Sequence, residues 1–202
     1  MMRTQIRIVS GALRGRKITC LVHPNLRPTP DRVREALFSI LGNAVPGRPF
    51  VDAFAGTGVV GLEALSRGAS AVTFVERDFR AADDIEHHLN LFEVAERATL
   101  ARTDVYRWAE RWEAPREPVN VFFSPPFAHF SQRPAAFENL IGLVQAKVSL
   151  GSLVVVQAER HALAGLERTF VGWEQRRYGR NDLLIWEKET DSGENLGDVA
   201  GS

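Results

Sequence analysis

Apolar residues along this chain fall into short runs that are separated by polar and glycine-bearing segments. One run, Phe50–Phe54, is interrupted only by Asp52 and is followed at once by a loop. The loop is marked by Gly56, Gly58 and Gly61, and apolar residues then recur at helical spacing. Strand, glycine turn and helix in this order predict an α/β unit that holds a nucleotide-like ligand at the helix N-terminus. Glycine suits such a loop because the backbone must turn tightly and approach the ligand.

Four further apolar runs predict strands, and segments with helical spacing lie between them. The predicted strands are Ala71–Glu76, Ala98–Ala101, Val119–Phe123 and Ser152–Gln157. The predicted helices are Asp78–Val94, Val105–Trp112 and Arg133–Leu150. Two closing strands, 168–178 and 183–187, are expected to form an antiparallel hairpin. This alternation predicts an α/β fold with a mostly parallel seven-stranded sheet and helices on both faces.

An N-terminal β-hairpin is predicted ahead of this alternation. Two short β-like runs, Gln5–Ser10 and Lys17–Val22, are joined by a turn that contains two glycines. A helix should follow, with Thr29 as its N-cap and Pro30 at its first position. On the polar face of that helix we expect Arg32, Arg34 and Glu35.

Composition indicates one soluble globular domain. The chain has 202 residues, of which 45% are hydrophobic and 25% charged. We assign the hairpin to 1–24, the α/β domain to 25–188 and a polar, glycine-bearing tail, expected to be disordered, to 189–202. No apolar run is long enough to span a bilayer, and the N-terminus lacks the apolar segment of a signal peptide. We therefore expect a cytoplasmic protein.

Cysteine and histidine usage argues against a metal or a disulfide. Cys20 is the only cysteine, so an internal disulfide and a thiolate cluster are excluded. The five histidines show no metal-ligand spacing. We therefore expect no metal, and we expect the protein to be a monomer.

The charges are distributed unevenly although their sum is zero. Residues 1–34 contain eight basic side chains and one acid, whereas residues 189–202 contain four acids and no base. A basic front of this kind suits a nucleic-acid backbone. We expect a flexible loop at the hairpin tip to grip phosphates; a plain solvated hairpin is the alternative. The candidate RNA-binding residues are Arg14, Arg16, Lys17, Arg27 and Arg32.

Asp52 distinguishes between two ligands that the glycine loop could hold. The glycine spacing, with Glu76 about twenty residues further on, also fits a dinucleotide fingerprint. A carboxylate at that strand end would repel the pyrophosphate of NAD but attract the ammonium and sulfonium of S-adenosylmethionine. We therefore favour S-adenosylmethionine as cofactor. The alternative is that Asp52 only fixes the loop through backbone hydrogen bonds.

Polar side chains mark the carboxyl ends of four predicted strands, where open α/β sheets bind their ligands. Glu76 is placed to accept hydrogen bonds from ribose hydroxyls. Asp104 could meet an adenine amine or cap the helix that follows, and both roles are compatible. The other two strand-end side chains are those of Asp52 and Ser124.

The segment Ser124–Phe127, which reads SPPF, predicts a site for a planar amine. Its two prolines remove backbone donors, so the carbonyls can only accept hydrogen bonds. Acceptors at this point could hold the exocyclic amine of a nucleobase while Phe127 stacks on the base. The alternative is a rigid turn that ends the strand, with Phe127 as part of the core. We assign the catalytic role to Ser124, Pro125, Pro126 and Phe127.

Several long motifs resemble the bacterial small-subunit ribosomal RNA guanine-N2 methyltransferase family. They are RIVSGALRGRKI, LRPTPDRVREALFSIL, VDAFAGTGVVGLEALSRG, FVERD, SPPF and YGRNDLLIWE. The resemblance implies a Rossmann-like class I methyltransferase that uses S-adenosylmethionine on guanine N2 of 16S-type RNA within an assembling small subunit. The family usually has aspartate or asparagine where this chain has Ser124. The candidate cofactor contacts are Asp52, Phe54, Gly56, Gly58, Glu76, Arg77 and Asp104.

Three other functions fit part of the pattern. An amino-methyltransferase acting on adenine N6 or cytosine N4 of DNA or RNA would share the site. Against DNA, the chain offers no separate domain for reading a duplex. A nicotinamide oxidoreductase is disfavoured by Asp52 and by the lack of room for a substrate domain. An RNA-binding assembly factor could have kept the fold and lost activity through Ser124.

Overall fold

The computed structural model describes residues 2–22, 28–160 and 162–189. The strands are β1 (Met2–Arg7), β2 (Lys17–Val22), β3 (Phe50–Ala53), β4 (Val72–Val75), β5 (Ala98–Ala101), β6 (Asn120–Phe123), β7 (Leu153–Glu159), β8 (Glu174–Tyr178) and β9 (Asn181–Glu187). The helices are α1 (Asp31–Leu41), α2 (Val59–Ser66), α3 (Phe79–Leu91), α4 (Val105–Arg111), α5 (Ala128–Gln132) and α6 (Pro134–Lys147). The predicted tail lies outside the described residues from 190 onward.

Seven strands form one sheet in the order β5-β4-β3-β6-β7-β9-β8. The first five in this order run parallel, whereas β9 is antiparallel to β7 and β8 is antiparallel to β9. The chain leaves β3 toward β4 and β5 and later returns on the other side of β3 as β6. This reversal creates a topological switch point between β3 and β6, where an α/β sheet binds its ligand. The predicted mixed sheet is confirmed.

Hydrophobic clusters cover both faces of the sheet. Phe74 and Phe122 belong to the cluster on one face, with α1, α2 and α3. Phe123 and Phe137 belong to the cluster on the other face, with α4, α5 and α6. Every residue of β3 and β6 is buried, as expected of central parallel strands that are covered on both sides. Among the helices of the described ranges, none has the length and apolar character needed to cross a bilayer.

The separate β1–β2 hairpin is fixed to α2 through a buried carboxylate. Glu63 accepts the backbone N–H groups of Val9 and Ser10 at 3.0 and 3.1 Å. Leu13 N–H donates to Ser66 Oγ at 2.9 Å, and the Leu13 side chain is part of the core. The hairpin prediction is confirmed, but its tip is anchored along the backbone. Phosphate binding by this loop stays a prediction.

Arg34 corrects the prediction for the polar face of α1. Its side chain is fully buried and donates to the backbone carbonyls of Thr29 and Arg7 at 2.9 Å each. It also pairs with the exposed Asp31 at 3.0 Å. The hairpin covers this side of the helix, and the guanidinium satisfies backbone carbonyls that would otherwise be buried without partners. Arg34 is thus a structural link between hairpin and domain.

The predicted N-cap role of Thr29 is wrong. Pro30 occupies the N-cap position of α1, and no side chain caps the helix. Thr29 Oγ1 instead donates to Gln157 Oε1 at 3.2 Å. A tertiary contact with β7 therefore takes the hydroxyl that the local sequence would assign to the helix.

Candidate active site at the carboxyl ends of the strands

The glycine loop between β3 and α2 has the left-handed backbone that its sequence predicts. Phe54, Gly56 and Gly58 have φ angles of 65°, 55° and 72°, and Gly58 is the N-cap residue of α2. A Cβ on Gly61 would lie 2.2 Å from Phe74 Cε1, so this glycine allows α2 to pack on β4. The loop therefore combines a tight turn with a close helix–sheet contact.

Asp52 fixes this loop through a hydrogen bond to the start of α2. Its side chain is 1% exposed, and Oδ2 accepts a hydrogen bond from Gly61 N at 2.8 Å. Burial raises the pKa of Asp52 to about 8, the Gly61 hydrogen bond opposes this shift, and the charge of Glu76 adds to it. The observed contact of Asp52 is therefore the hydrogen bond that fixes the glycine loop. Asp52 would affect a cofactor either by shaping this loop or by its negative charge.

Glu76 joins the glycine loop to the turn after β4. Its Oε2 accepts from Gly56 N at 2.7 Å, and its Oε1 accepts from Asp78 N at 2.8 Å. Asp78 in turn caps α3 by accepting from Arg80 N and Ala81 N. An ionised carboxylate can accept about four hydrogen bonds, so two acceptor positions of Glu76 remain for ligand hydroxyls.

Asp104 is the N-cap residue of α4, as the alternative interpretation predicted. Its Oδ1 accepts from Tyr106 N at 3.0 Å, and its Oδ2 lies 3.5 Å from Arg77 Nη1. The ion pair brings the ends of β4 and β5 together. Asp104 and Arg77 thus lie on the same side of the glycine loop as Glu76. One carboxylate oxygen of Asp104 caps α4, and the other faces Arg77.

The SPPF segment lies beside the glycine loop, across the switch point. Ser124 N donates to Ala53 O at 3.4 Å, and Pro126 O accepts from His129 N at 2.8 Å in the first turn of α5. The carbonyl of Pro126 is therefore already engaged. Phe127 is half-buried and packs against the second core cluster. Its partial exposure leaves part of the ring available to a base.

An aromatic cluster that the sequence analysis missed holds Phe54. The Phe54 ring makes edge contacts with Tyr106 at 6.1 Å and with His129 at 5.6 Å between centroids. Tyr106 Oη and His129 Nδ1 are 3.1 Å apart. Burial, together with the charges of Arg77 and Arg133, lowers the pKa of His129, so this histidine is neutral near pH 7. The cluster fixes the strained residue that opens the glycine loop.

Gln157 is the second group that the sequence analysis missed. It is buried near the carboxyl end of β7, and its Oε1 lies 3.3 Å from Ser124 Oγ. The sequence does indicate this residue, because Gln157 is the polar residue that ends the predicted fifth strand. The same rule identifies the polar residues at the other four strand ends.

Three of the predicted RNA-binding residues, Arg14, Arg16 and Lys17, belong to the hairpin tip and lie away from this edge. The hairpin loop contacts the last turn of α2, beside the amino ends of the strands, where Gly47 N donates to Gly68 O at 2.8 Å. The whole of α2, eight residues and about 12 Å long, runs from the glycine loop to Ser66 in that turn. Arg27 lies outside the described residues, and Arg32 is exposed on α1. The exposed cations near the amino ends include Arg14, Arg16 and Lys17.

Fold and site together define a class I methyltransferase with a Rossmann-like sheet. A sequence profile of the family described as Conserved hypothetical protein 95 matches residues 6–187, and the chain belongs to this family. Within the described ranges, no three side chains of His, Cys, Asp or Glu come together as a metal site would require.

Named relatives and solved structures agree with this family. Ribosomal RNA small subunit methyltransferase D of Escherichia coli strain K12 is 33% identical over 173 residues, covering 86% of this chain and 83% of that protein. The Haemophilus influenzae protein of the same name is 37% identical over 128 residues, covering 63% and 66%. A solved Escherichia coli chain superposes with a TM-score of 0.72 at 28% identity, covering 92% of this chain and 99% of that one.

A fourth likeness concerns the fold alone. The 16S rRNA N2 methyltransferase of Thermus thermophilus, solved in complex with AdoMet and guanosine, has a TM-score of 0.67 at 22% identity. The match covers 93% of this chain and 50% of that chain. The predicted methyltransferase family and its S-adenosylmethionine cofactor are confirmed.

Proposed function

We propose that this protein transfers a methyl group from S-adenosylmethionine to the exocyclic N2 amine of a guanine in small-subunit ribosomal RNA. The observation that carries the proposal is the position of Ser124 beside the end of β3, where the glycine loop begins, through the 3.4 Å contact of Ser124 N with Ala53 O. Relatives named ribosomal RNA small subunit methyltransferase D support ribosomal RNA as the substrate. The proposal places the protein with assembling small subunits in the cytoplasm, as a monomer.

The charges at the strand ends fit a cationic cofactor. Asp52 accepts from Gly61 N and Glu76 accepts from Gly56 N. Asp104 follows the next strand and pairs with the cation Arg77. A pyrophosphate would meet like charges here, whereas an ammonium and a sulfonium would be attracted. A nearby cation would also favour the ionised form of Asp52, whose pKa burial has raised to about 8. The residues present therefore suit S-adenosylmethionine.

Each part of the cofactor has residues proposed to hold it. The loop of Phe54, Gly56 and Gly58 would hold the methionine part, with Asp52 fixing the loop. Glu76 has free acceptor positions for the ribose hydroxyls. Asp104 and Arg77 would lie at the adenine edge. When bound, S-adenosylmethionine supplies a methyl group that is already activated by its sulfonium.

The protein's remaining task is to orient the base amine, since holding two reactants in line can supply much of a rate enhancement. Ser124 Oγ and the carbonyl of Pro125 are proposed to accept the two N–H groups of the amine. Pro126 shapes the turn and starts α5, because its carbonyl already accepts from His129 N. Phe127 is proposed to stack on the base through its exposed part.

Ser124→Ala tests whether Ser124 serves the base amine and not the cofactor, with Ser131→Ala as a matched control. Ser131 is an exposed serine of α5 whose Oγ donates to Ala128 O. We expect Ser124→Ala to lower kcat at least tenfold on small-subunit particles while the affinity for S-adenosylmethionine, measured by calorimetry, changes less than twofold. Ser131→Ala should behave like the parent. Equal losses of cofactor affinity and turnover in Ser124→Ala would contradict the assignment.

Mapping of the product tests the choice of base. RNA treated with the parent protein and labelled cofactor is digested to nucleosides and analysed by mass spectrometry. N2-methylguanosine is the expected product. Methylated adenine or cytosine would overturn the guanine assignment, and an absence of methyl transfer despite cofactor and RNA binding would favour an assembly factor.

A further inference from the structure

A buried amide connects four separate segments of the chain behind the proposed base site. Gln157 in β7 is 3% exposed. Its Oε1 accepts from Ser124 Oγ at 3.3 Å and from Thr29 Oγ1 at 3.2 Å. Its Nε2 donates to Asn181 Oδ1 at 2.9 Å, at the start of β9. The side chain thus uses both ends of its amide.

The hydrogen-bond chemistry of this amide determines which way the Ser124 hydroxyl points. An amide oxygen can only accept, so the single proton of the Ser124 hydroxyl is directed toward Gln157. The lone pairs of Ser124 Oγ are then left for a ligand. The nearby Thr29 hydroxyl is held by the same oxygen and does not compete for Ser124.

We propose that Gln157 is a positioning residue that makes Ser124 a hydrogen-bond acceptor for the target amine. The proposal rests on the proposed function, since it assigns a partner to the serine of the base site. It has a consequence for specificity. An accepting Ser124 favours a base that presents an N–H group at this point and disfavours one that presents a carbonyl oxygen, because two facing acceptors cannot share a proton.

The proposal also explains how serine can take a position where the family usually has aspartate or asparagine. Those residues present an oxygen without a proton of its own, whereas a free hydroxyl can rotate and donate. The Gln157 carbonyl removes that freedom. The polarity required of the site is therefore produced by two residues, Ser124 just after β6 and Gln157 in β7.

Two substitutions of Gln157 separate polarity from packing. Gln157→Met keeps the approximate shape and removes the acceptor. Gln157→Glu keeps an acceptor toward Ser124 in either protonation state, because a protonated carboxyl can still donate its proton to Asn181 while its carbonyl accepts. Gln175→Met is the matched control, since Gln175 on β8 donates from Nε2 to Asp182 Oδ2 on β9 and has no hydrogen bond to Ser124.

The experiment measures kcat and the KM for S-adenosylmethionine on small-subunit particles. We expect Gln157→Met to lower kcat about tenfold with KM within twofold, in line with the loss of one hydrogen bond of about 1.4 kcal/mol. Gln157→Glu should stay within threefold of the parent, and Gln175→Met should be unchanged. In a Ser124→Ala background, Gln157→Met should cause no further loss, because its effect passes through Ser124.

Each contrary result has a separate meaning. Additive losses in the double variant, or an equal loss in Gln157→Glu and Gln157→Met, would overturn the role of Gln157 while leaving the proposed function intact. A parent protein that methylates no RNA would overturn the proposed function and this inference with it. Should Gln157→Met fail to fold, Gln157→Glu alone decides, since a tenfold loss in that variant contradicts the accepting role.

Discussion

Asp52 Oδ2 lies 2.8 Å from the backbone nitrogen of Gly61 and accepts its hydrogen bond inside the protein. The contact joins the central strand β3 to the first turn of α2, on either side of the glycine loop. The Asp52 side chain therefore both shapes the loop and places a titratable group beside it. The cost of burying that charge appears in the raised pKa of Asp52.

The titration of Asp52 predicts a pH-dependent stability. Its pKa is near 3.8 ordinarily and about 8 in the fold, so the folded protein keeps a proton that the unfolded chain releases above pH 4. Stability should therefore fall as pH rises from about 4 to 8. Asp52→Asn keeps an oxygen for Gly61 N–H and removes the titration. Between pH 5 and 8, the free energy of unfolding in urea should therefore fall by about 2–4 kcal/mol less in this variant than in the parent.

Asp83→Asn provides the control for this measurement. Asp83 is a largely exposed partner of Arg102 and should show the pH dependence of the parent. Coincident stability curves for the parent and Asp52→Asn would show that the Asp52 titration does not contribute.

A second prediction concerns the close packing of α2 on β4. Gly61→Ala would place a Cβ 2.2 Å from Phe74 Cε1, so either the ring or the helix must shift. We expect a loss of about 1–3 kcal/mol in the free energy of unfolding, with weakened cofactor binding because the loop precedes this helix. Gly142→Ala in α6 meets nothing within 4 Å and should stabilise the protein by about 0.5–1 kcal/mol. Similar effects at both positions would contradict the packing argument.

The position of the basic hairpin tip predicts an effect on RNA affinity that is separate from catalysis. Replacing Arg14, Arg16 and Lys17 with glutamine should weaken RNA binding and flatten its salt dependence. The slope should fall by up to about one logarithmic unit for each phosphate that the tip no longer neutralises. Because these cations lie near the amino ends of the strands, kcat at saturating RNA should stay within twofold.

A triple variant with the same change of charge serves as control for the hairpin. It replaces the exposed residues Arg107, Arg111 and Arg116 with glutamine. Equal losses of affinity in the two triple variants would indicate a general charge effect, and an unchanged salt slope in the hairpin variant would rule out phosphate binding by its tip.

His88 predicts an acid-sensitive attachment of the hairpin. Its Nε2 accepts from Thr19 N at 3.1 Å, which requires a neutral ring, and burial lowers the pKa of His88. A base with a lowered folded pKa contributes stability that is present above its unfolded pKa of about 6.5 and is lost as pH falls below it. Hydrogen exchange of the Thr19 amide should therefore show weaker protection at pH 5 than at pH 7.5, after correction for intrinsic rates. Unchanged protection would contradict this.

Local sequence indicates most of the elements and most strand-end residues, but it misses α5 and overextends the strand at 168–178, where only Glu174–Tyr178 is a strand. Periodicity placed the edge strand β5 at its observed bounds. It placed the other four parallel strands within a few residues, because a central parallel strand must be apolar on both faces. It failed for Arg34, whose charge suggests a solvent-facing position. Burial of that side chain depends on carbonyl oxygens from the hairpin, and helical spacing does not include them.

The sequence by itself determined the alternating α/β order, the glycine loop and the polar residues that end the strands. These follow from short-range rules of periodicity, turn geometry and side-chain chemistry. Only the tertiary structure decided that Asp52 is directed at Gly61, that the basic tip lies away from the site, and that Gln157 contacts Ser124. The reason is that a hydrogen bond joins whichever partners the folded chain brings within about 3 Å, and those partners come from distant segments.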